Sequence, residues 1–140
     1  MTTWLVLVLA GCPGDGLPTA QLTLDGVTLN VEIAATPDQR AAGLMFRDAM
    51  GANDGMVFVY PDDAPRSFWM KDTRLPLSIA YVDAGGTIVK ISDMTPLSTA
   101  PVPSLYPARY AIEVNQGWFA ANKVEVGDKV TGLKELPKAK

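Results

Sequence analysis

The sequence predicts a mainly β, compact domain, sandwich or barrel-like, with one short α-helix at about residues 37–46 and a single helical turn near 117–122. Three observations point there. Runs in which apolar and polar side chains alternate recur along the chain, as at Val27, Leu29, Val31 and Ile33, and a period of two marks strands with one buried face. Eleven prolines and twelve glycines are scattered without a period, which suits many short strands joined by turns. One stretch, Thr36-Pro37-Asp38-Gln39, combines an N-cap, a proline at the first helical position and a Gln placed for a capping box.

In chain order, residues 21–24 and 27–34 read as a hairpin around Asp25-Gly26, a favoured two-residue turn. The helix follows, with Ala41, Leu44 and Met45 at helical spacing and Gly43 suggesting close packing. Gly55-Met56-Val57-Phe58-Val59-Tyr60 is near-continuously apolar, as expected of a central strand covered on both faces. Residues 61–65 read as a loop. Ser67 to Tyr81 supplies two strands, the first placing Phe68 and Met70 on one face and Trp69 and Lys71 on the other, the second pointing Leu77, Ile79 and Tyr81 one way. Residues 87–91 return as a hairpin partner after Asp83-Ala84-Gly85-Gly86. The segment 92–107, with four prolines, is expected to be an irregular lid or rim. In the strand 110–114, Tyr110, Ile112 and Val114 oppose Ala111 and Glu113. An alternating pair around Gly127-Asp128 closes a single domain at 21–134, and residues 135–140 form a solvated tail.

The N-terminal residues address the chain. Trp4 to Ala10 is an apolar run far shorter than the ~20 residues that span a bilayer. It reads as the core of a signal peptide over residues 1–11. Leu9-Ala10-Gly11-Cys12 resembles the bacterial lipobox, so Cys12 is expected to carry a lipid, with residues 12–20 as a flexible tether. Lipidation would also account for a lone cysteine in an oxidising compartment. The expected location is extracytoplasmic, anchored by lipid to a bacterial membrane. No Lys or Arg precedes the apolar run; the first basic residue is Arg40.

Composition narrows the chemistry. The 140 residues contain no histidine, and Cys12 is the only cysteine, which disfavours zinc sites, His-based catalysis and internal disulfides. Twelve basic against fifteen acidic residues, a net charge of −3 with no basic block, argue against a nucleic-acid partner. Thioethers suit Cu(I), but the six methionines fall mostly at core-like positions and read as gap-fillers. Asp62, Asp63, Asp72 and Asp83 fit no calcium-loop spacing. No cofactor or metal is expected.

Ala35-Thr36-Pro37-Asp38-Gln39-Arg40, Gly43-Leu44-Met45-Phe46-Arg47, Gly55-Met56-Val57-Phe58, Phe68-Trp69-Met70-Lys71-Asp72-Thr73 with Leu75-Pro76-Leu77, Ile112-Glu113 and Gly127-Asp128 occur in this order. Together they resemble the domain of unknown function 192 family, from about Val31 to Val130. The resemblance implies a compact, mostly β domain, often secreted or anchored, and brings no established activity, substrate or cofactor.

The candidate ligand-binding residues are Trp69, Lys71, Glu113 and Arg40. Lys71 and Glu113 both alternate with apolar neighbours, so they either face inward as a functional pair, form a structural ion pair, or are two snorkelling side chains. Arg40 and Arg47 lie two helical turns apart and either hold an anion or form a solvated face. Trp69, Tyr81, Tyr106, Tyr110 and Trp118 either stack on a sugar ring or fill a core. The leading expectation is a binding domain for a small or envelope-derived ligand, a sugar or peptidoglycan fragment. The alternatives are a hydrolase or transferase using Lys71 with Glu113, and a protein-interaction module of the cell envelope docking through residues 92–107.

Overall fold

The computed structural model describes residues 16–140; the expected signal peptide, Cys12 and residues 13–15 of the expected tether lie outside them, while the last two tether residues, Thr19 and Ala20, belong to the first strand instead. Strands β1 (Thr19–Leu24) and β2 (Val27–Ala34) form the expected hairpin, with Leu24 opposite Val27. Asp25 and Gly26 both take left-handed backbone, φ 48° and 80°, as a turn matching the strand twist requires. Helix α1 (Pro37–Ala42) starts on a complete capping box between Thr36 and Gln39. It ends sooner than its pattern suggests, because Gly43 (φ 46°) and then Phe46 (φ 64°) leave helical backbone.

Strands β3 (Asp54–Phe68), β4 (Leu77–Val82), β5 (Ile88–Met94), β6 (Val102–Asn115) and β7 (Val130–Thr131) complete one sheet in the order β5-β4-β6-β3-β2-β1-β7. Among these pairings only β2 with β3 is parallel. A parallel pair needs a crossover, and α1 with residues 43–53 provides it. The short helix α2 (Trp118–Ala121) sits where one helical turn was expected.

The sheet curls until its edges meet as a half-barrel. Thr87 bridges Lys129, the Ile88 amide donates to the Asp128 carbonyl at 2.9 Å, and the Val130 amide donates to Gly86 at 2.8 Å. One buried cluster takes side chains from every strand, including Leu22, Val57, Ala80, Ile88, Ile112 and Val130, so it fills the interior. A second packs on the outer face, where Met56, Phe58, Ile79 and Tyr81 lie under Leu44, Met70, Leu75 and Met94. Both faces of β3, β4 and β6 are therefore covered, which explains their continuous apolar runs.

Further sequence expectations change. Residues 61–65 are not a loop: β3 runs through them, with register shifts between Val59 and Ala64 and between Pro65 and Ser67, and prolines are tolerated at such irregularities. The irregular segment 92–107 shrinks to residues 95–101, because Pro103 and Pro107 join β6 opposite Ser67 and Pro65. Trp69 and Lys71 lie in a connecting loop rather than a strand, yet keep the alternation, with Met70 buried between them. The final alternating pair is reduced to β7 and a 3-10 turn at Leu133–Glu135. In the tail the lysines are exposed, but Leu136 is buried and the Lys140 amide donates to Ala35 at 2.9 Å.

Candidate functional site

Strand β6 sends Ile112 and Val114 into the interior and Ala111 to the outer face. By the same alternation Glu113 projects outward. It lies opposite Met56 on β3 and Ile79 on β4, a carboxyl set in an apolar row. Glu113 is 4% exposed and stands at the floor of a cleft of about 240 Å³, walled by Arg40, Leu44, Tyr60, Phe68 and Trp69 among others. Among the described residues no protein group hydrogen-bonds its carboxyl, while every side-chain N or O atom sealed from solvent has a partner. Its oxygens are therefore reached from the cleft. Burial pushes the carboxyl up to about 8, because the apolar surroundings disfavour its charge. At neutral pH Glu113 is mainly a neutral acid, both donor and acceptor.

Arg40 forms the polar edge. Its Nη1 donates to the carbonyls of Ala35 at 2.9 Å and Val59 at 3.0 Å, and Nη2 lies 3.4 Å from a terminal carboxylate oxygen of Lys140. The guanidinium sits 5.0 Å from the Tyr60 ring centroid. Arg66 approaches the same ring at 3.9 Å and is held by Asp62 at 2.7 Å and the Ala108 carbonyl at 3.0 Å. Burial raises the Tyr60 hydroxyl above its ordinary range, and the two arginines oppose that shift. Behind the cleft, Phe68 stacks edge-on against Phe58 at 4.8 Å and Tyr81 at 5.8 Å, a rigid aromatic wall.

A family model for domain of unknown function 192, described as an uncharacterized ACR, matches residues 20–132. The chain belongs to this family. A crystal structure from Sinorhizobium meliloti 1021, described provisionally as a transcription regulator, shares 34% identity with a TM-score of 0.79, covering 83% of this chain and 95% of that one. A protein of unknown function from Novosphingobium aromaticivorans DSM 12444 shares 31% identity with a TM-score of 0.77, covering 93% and 99%. No curated protein matches the chain.

Within this domain of unknown function 192, the fold gathers Arg40, Trp69 and Glu113 around one cleft but leaves Lys71 out of its lining. Lys71 is exposed, with Nζ 5.3 Å from the Trp69 ring centroid, so Lys71 and Glu113 do not form the pair their alternation allowed. Arg47 turns away from Arg40 and pairs with Glu32. Tyr81 and Trp118 are buried, whereas Trp69 is 50% exposed. Met56, Met70 and Met94 fill the outer-face core, with Met50 packed against it. Among the described residues no three His, Cys, Asp or Glu side chains gather to hold a metal. Sequence reasoning missed Tyr60 and Phe68 as walls, because their strand was read as ending at Tyr60. The apolar alternation around Glu113 was the available signal for its burial.

Proposed function

We propose that this chain is an extracytoplasmic, lipid-anchored β-domain that binds a small envelope-derived ligand, a sugar or peptidoglycan fragment, in the Glu113 cleft. The observation that carries the reading is the buried Glu113 carboxyl, open to the cleft and without a protein partner, since such groups are otherwise satisfied internally. Trp69 offers a half-exposed ring for a sugar face, and Phe68 with Tyr60 backs the cleft. The short apolar run ending in Gly11-Cys12 supports the address.

The test titrates the protein with N-acetylglucosamine, N-acetylmuramic acid and soluble peptidoglycan fragments, followed by amide and indole NMR shifts. Shifts clustered around Trp69, Tyr60 and Glu113 are expected, with Lys71→Ala behaving like the parent. Absence of any saturable shift across the panel sinks the ligand reading. Mass spectrometry of the mature N-terminus should find acylated Cys12; an unmodified chain beginning at Met1 overturns the anchor.

A further inference from the structure

Three of the exposed large apolar side chains, Phe46, Trp69 and Leu97, stand on loops that are tied together. The Phe46 amide donates to the Asp72 carbonyl at 2.9 Å, the Leu97 amide to Thr73 at 3.0 Å and the Met70 amide to Ser98 at 2.8 Å. Arg74 Nη2 donates to the Phe46 carbonyl at 2.6 Å. Phe46 is 67% and Leu97 60% exposed, beside the half-exposed Trp69. Both also take left-handed backbone, φ 64° each, which bulky side chains rarely adopt. Neither core packing nor backbone preference accounts for an apolar residue at these two positions; an Asn would suit both better.

The charges around the three side chains balance. Lys71 and Arg74 stand against Asp48 and Asp72, with Arg74 3.0 Å from Asp48 and Lys71 Nζ 5.3 Å from the Trp69 ring centroid. An apolar cluster edged by charges of both signs complements zwitterionic headgroups, and Trp and Lys favour the boundary between water and hydrocarbon. A net charge of −3 gives the chain no general attraction to an anionic surface. The apolar side chains must therefore carry the contact.

The start of the fold lies beside the same loops. Leu17 packs against the outer-face cluster. Thr19 stands opposite Glu32, Glu32 pairs with Arg47, and Arg47 follows Phe46 in the chain. From Gly16 back to Cys12 the chain spans no more than about 14 Å even when fully extended. A lipid on Cys12 thus keeps the loop cluster within reach of the bilayer.

We propose that Phe46, Trp69 and Leu97 enter the headgroup–acyl boundary of the bilayer that holds the anchor, docking the domain with this loop cluster against the lipid. This rests on the lipid-anchor part of the reading above. A single acyl chain gives only reversible binding, and a second signal steadies it. The loop cluster supplies that signal and fixes an orientation. It also brings the cleft wall formed by Met45 and Trp69 to headgroup level.

The test reconstitutes the acylated protein in phosphatidylcholine vesicles with and without bromine on the acyl chains, a contact quencher of indole emission. With residues 1–11 removed, its tryptophans are Trp69 and the buried Trp118. Trp69 emission should shift to the blue on reconstitution and be lost with the brominated lipid. Trp69→Phe, which leaves only Trp118, should be insensitive to bromine. The double variant Phe46→Asn, Leu97→Asn keeps residues that suit left-handed backbone and should recover Trp69 emission while the protein still floats with the vesicles. Should it fail to fold, the parent and Trp69→Phe still decide. Trp69 emission unmoved by brominated lipid in the acylated chain, as when a second copy or another protein covers the loops, overturns this inference and leaves the anchor standing. Undiminished quenching in the folded double variant does the same. An unmodified chain beginning at Met1 removes both.

Discussion

Glu113 lies directly opposite Ile79 in the β4–β6 ladder, placing an ionisable carboxyl where the register supplies only apolar neighbours. Its folded-state value of about 8 exceeds the ordinary 4.5, so between these values the folded chain holds a proton that the unfolded chain has released. Stability should therefore be greatest below about pH 4.5 as far as this group is concerned, fall through about pH 8 and then level, with a slope approaching ~1.4 kcal/mol per pH unit. Urea midpoints of the parent and Glu113→Gln across this range check the sign. The variant should gain on the parent as pH rises; a constant difference would refute the assignment.

Trp69 separates binding from stability. Half of it faces solvent, so Trp69→Ala should change unfolding free energy by less than about 0.5 kcal/mol. Removing the ring face should weaken N-acetylmuramic acid about five- to thirtyfold, equivalent to ~1–2 kcal/mol. Calorimetry beside a thermal melt distinguishes the two effects.

Tyr81 is fully buried and its hydroxyl donates to the Val102 carbonyl, tying β4 to the start of β6. Tyr81→Phe keeps the ring against Phe68 but leaves that carbonyl without its donor, at a cost of about 1–2 kcal/mol. The urea midpoint should fall and amide exchange should quicken first around residues 102–108. An unchanged midpoint would show that water replaces the hydroxyl.

Gly55 pairs with Val114 in the β3–β6 ladder. A Cβ there would stand 2.5 Å from the Glu113 carbonyl oxygen, a backbone atom in a central ladder, so Gly55→Ala should destabilise by about 2–3 kcal/mol. Gly51 is the control: its added Cβ meets only the side-chain carboxylate of Asp54, which is exposed and can turn aside, and Gly51→Ala should stay within about 0.5 kcal/mol. Equal losses at both positions would show that the β3–β6 spacing yields.

What the sequence alone determined is local: the β-rich class, the Asp25-Gly26 hairpin, the capping box at Thr36 and Gln39, and the alternation of Tyr110, Ile112 and Val114 against Glu113. Each rests on residues within a few positions of one another, where backbone sterics and side-chain period act directly. The sequence equally allowed Lys71 to face Glu113. Only the tertiary structure decided otherwise, because β3 extends through its prolines to Phe68 and releases Trp69 and Lys71 into a loop. It likewise brought Arg40 beside Tyr60 across the α1 crossover and chose which outer-face side chains cover Glu113. Those choices depend on strand order and on the parallel β2–β3 pairing, contacts between distant residues that no local pattern encodes.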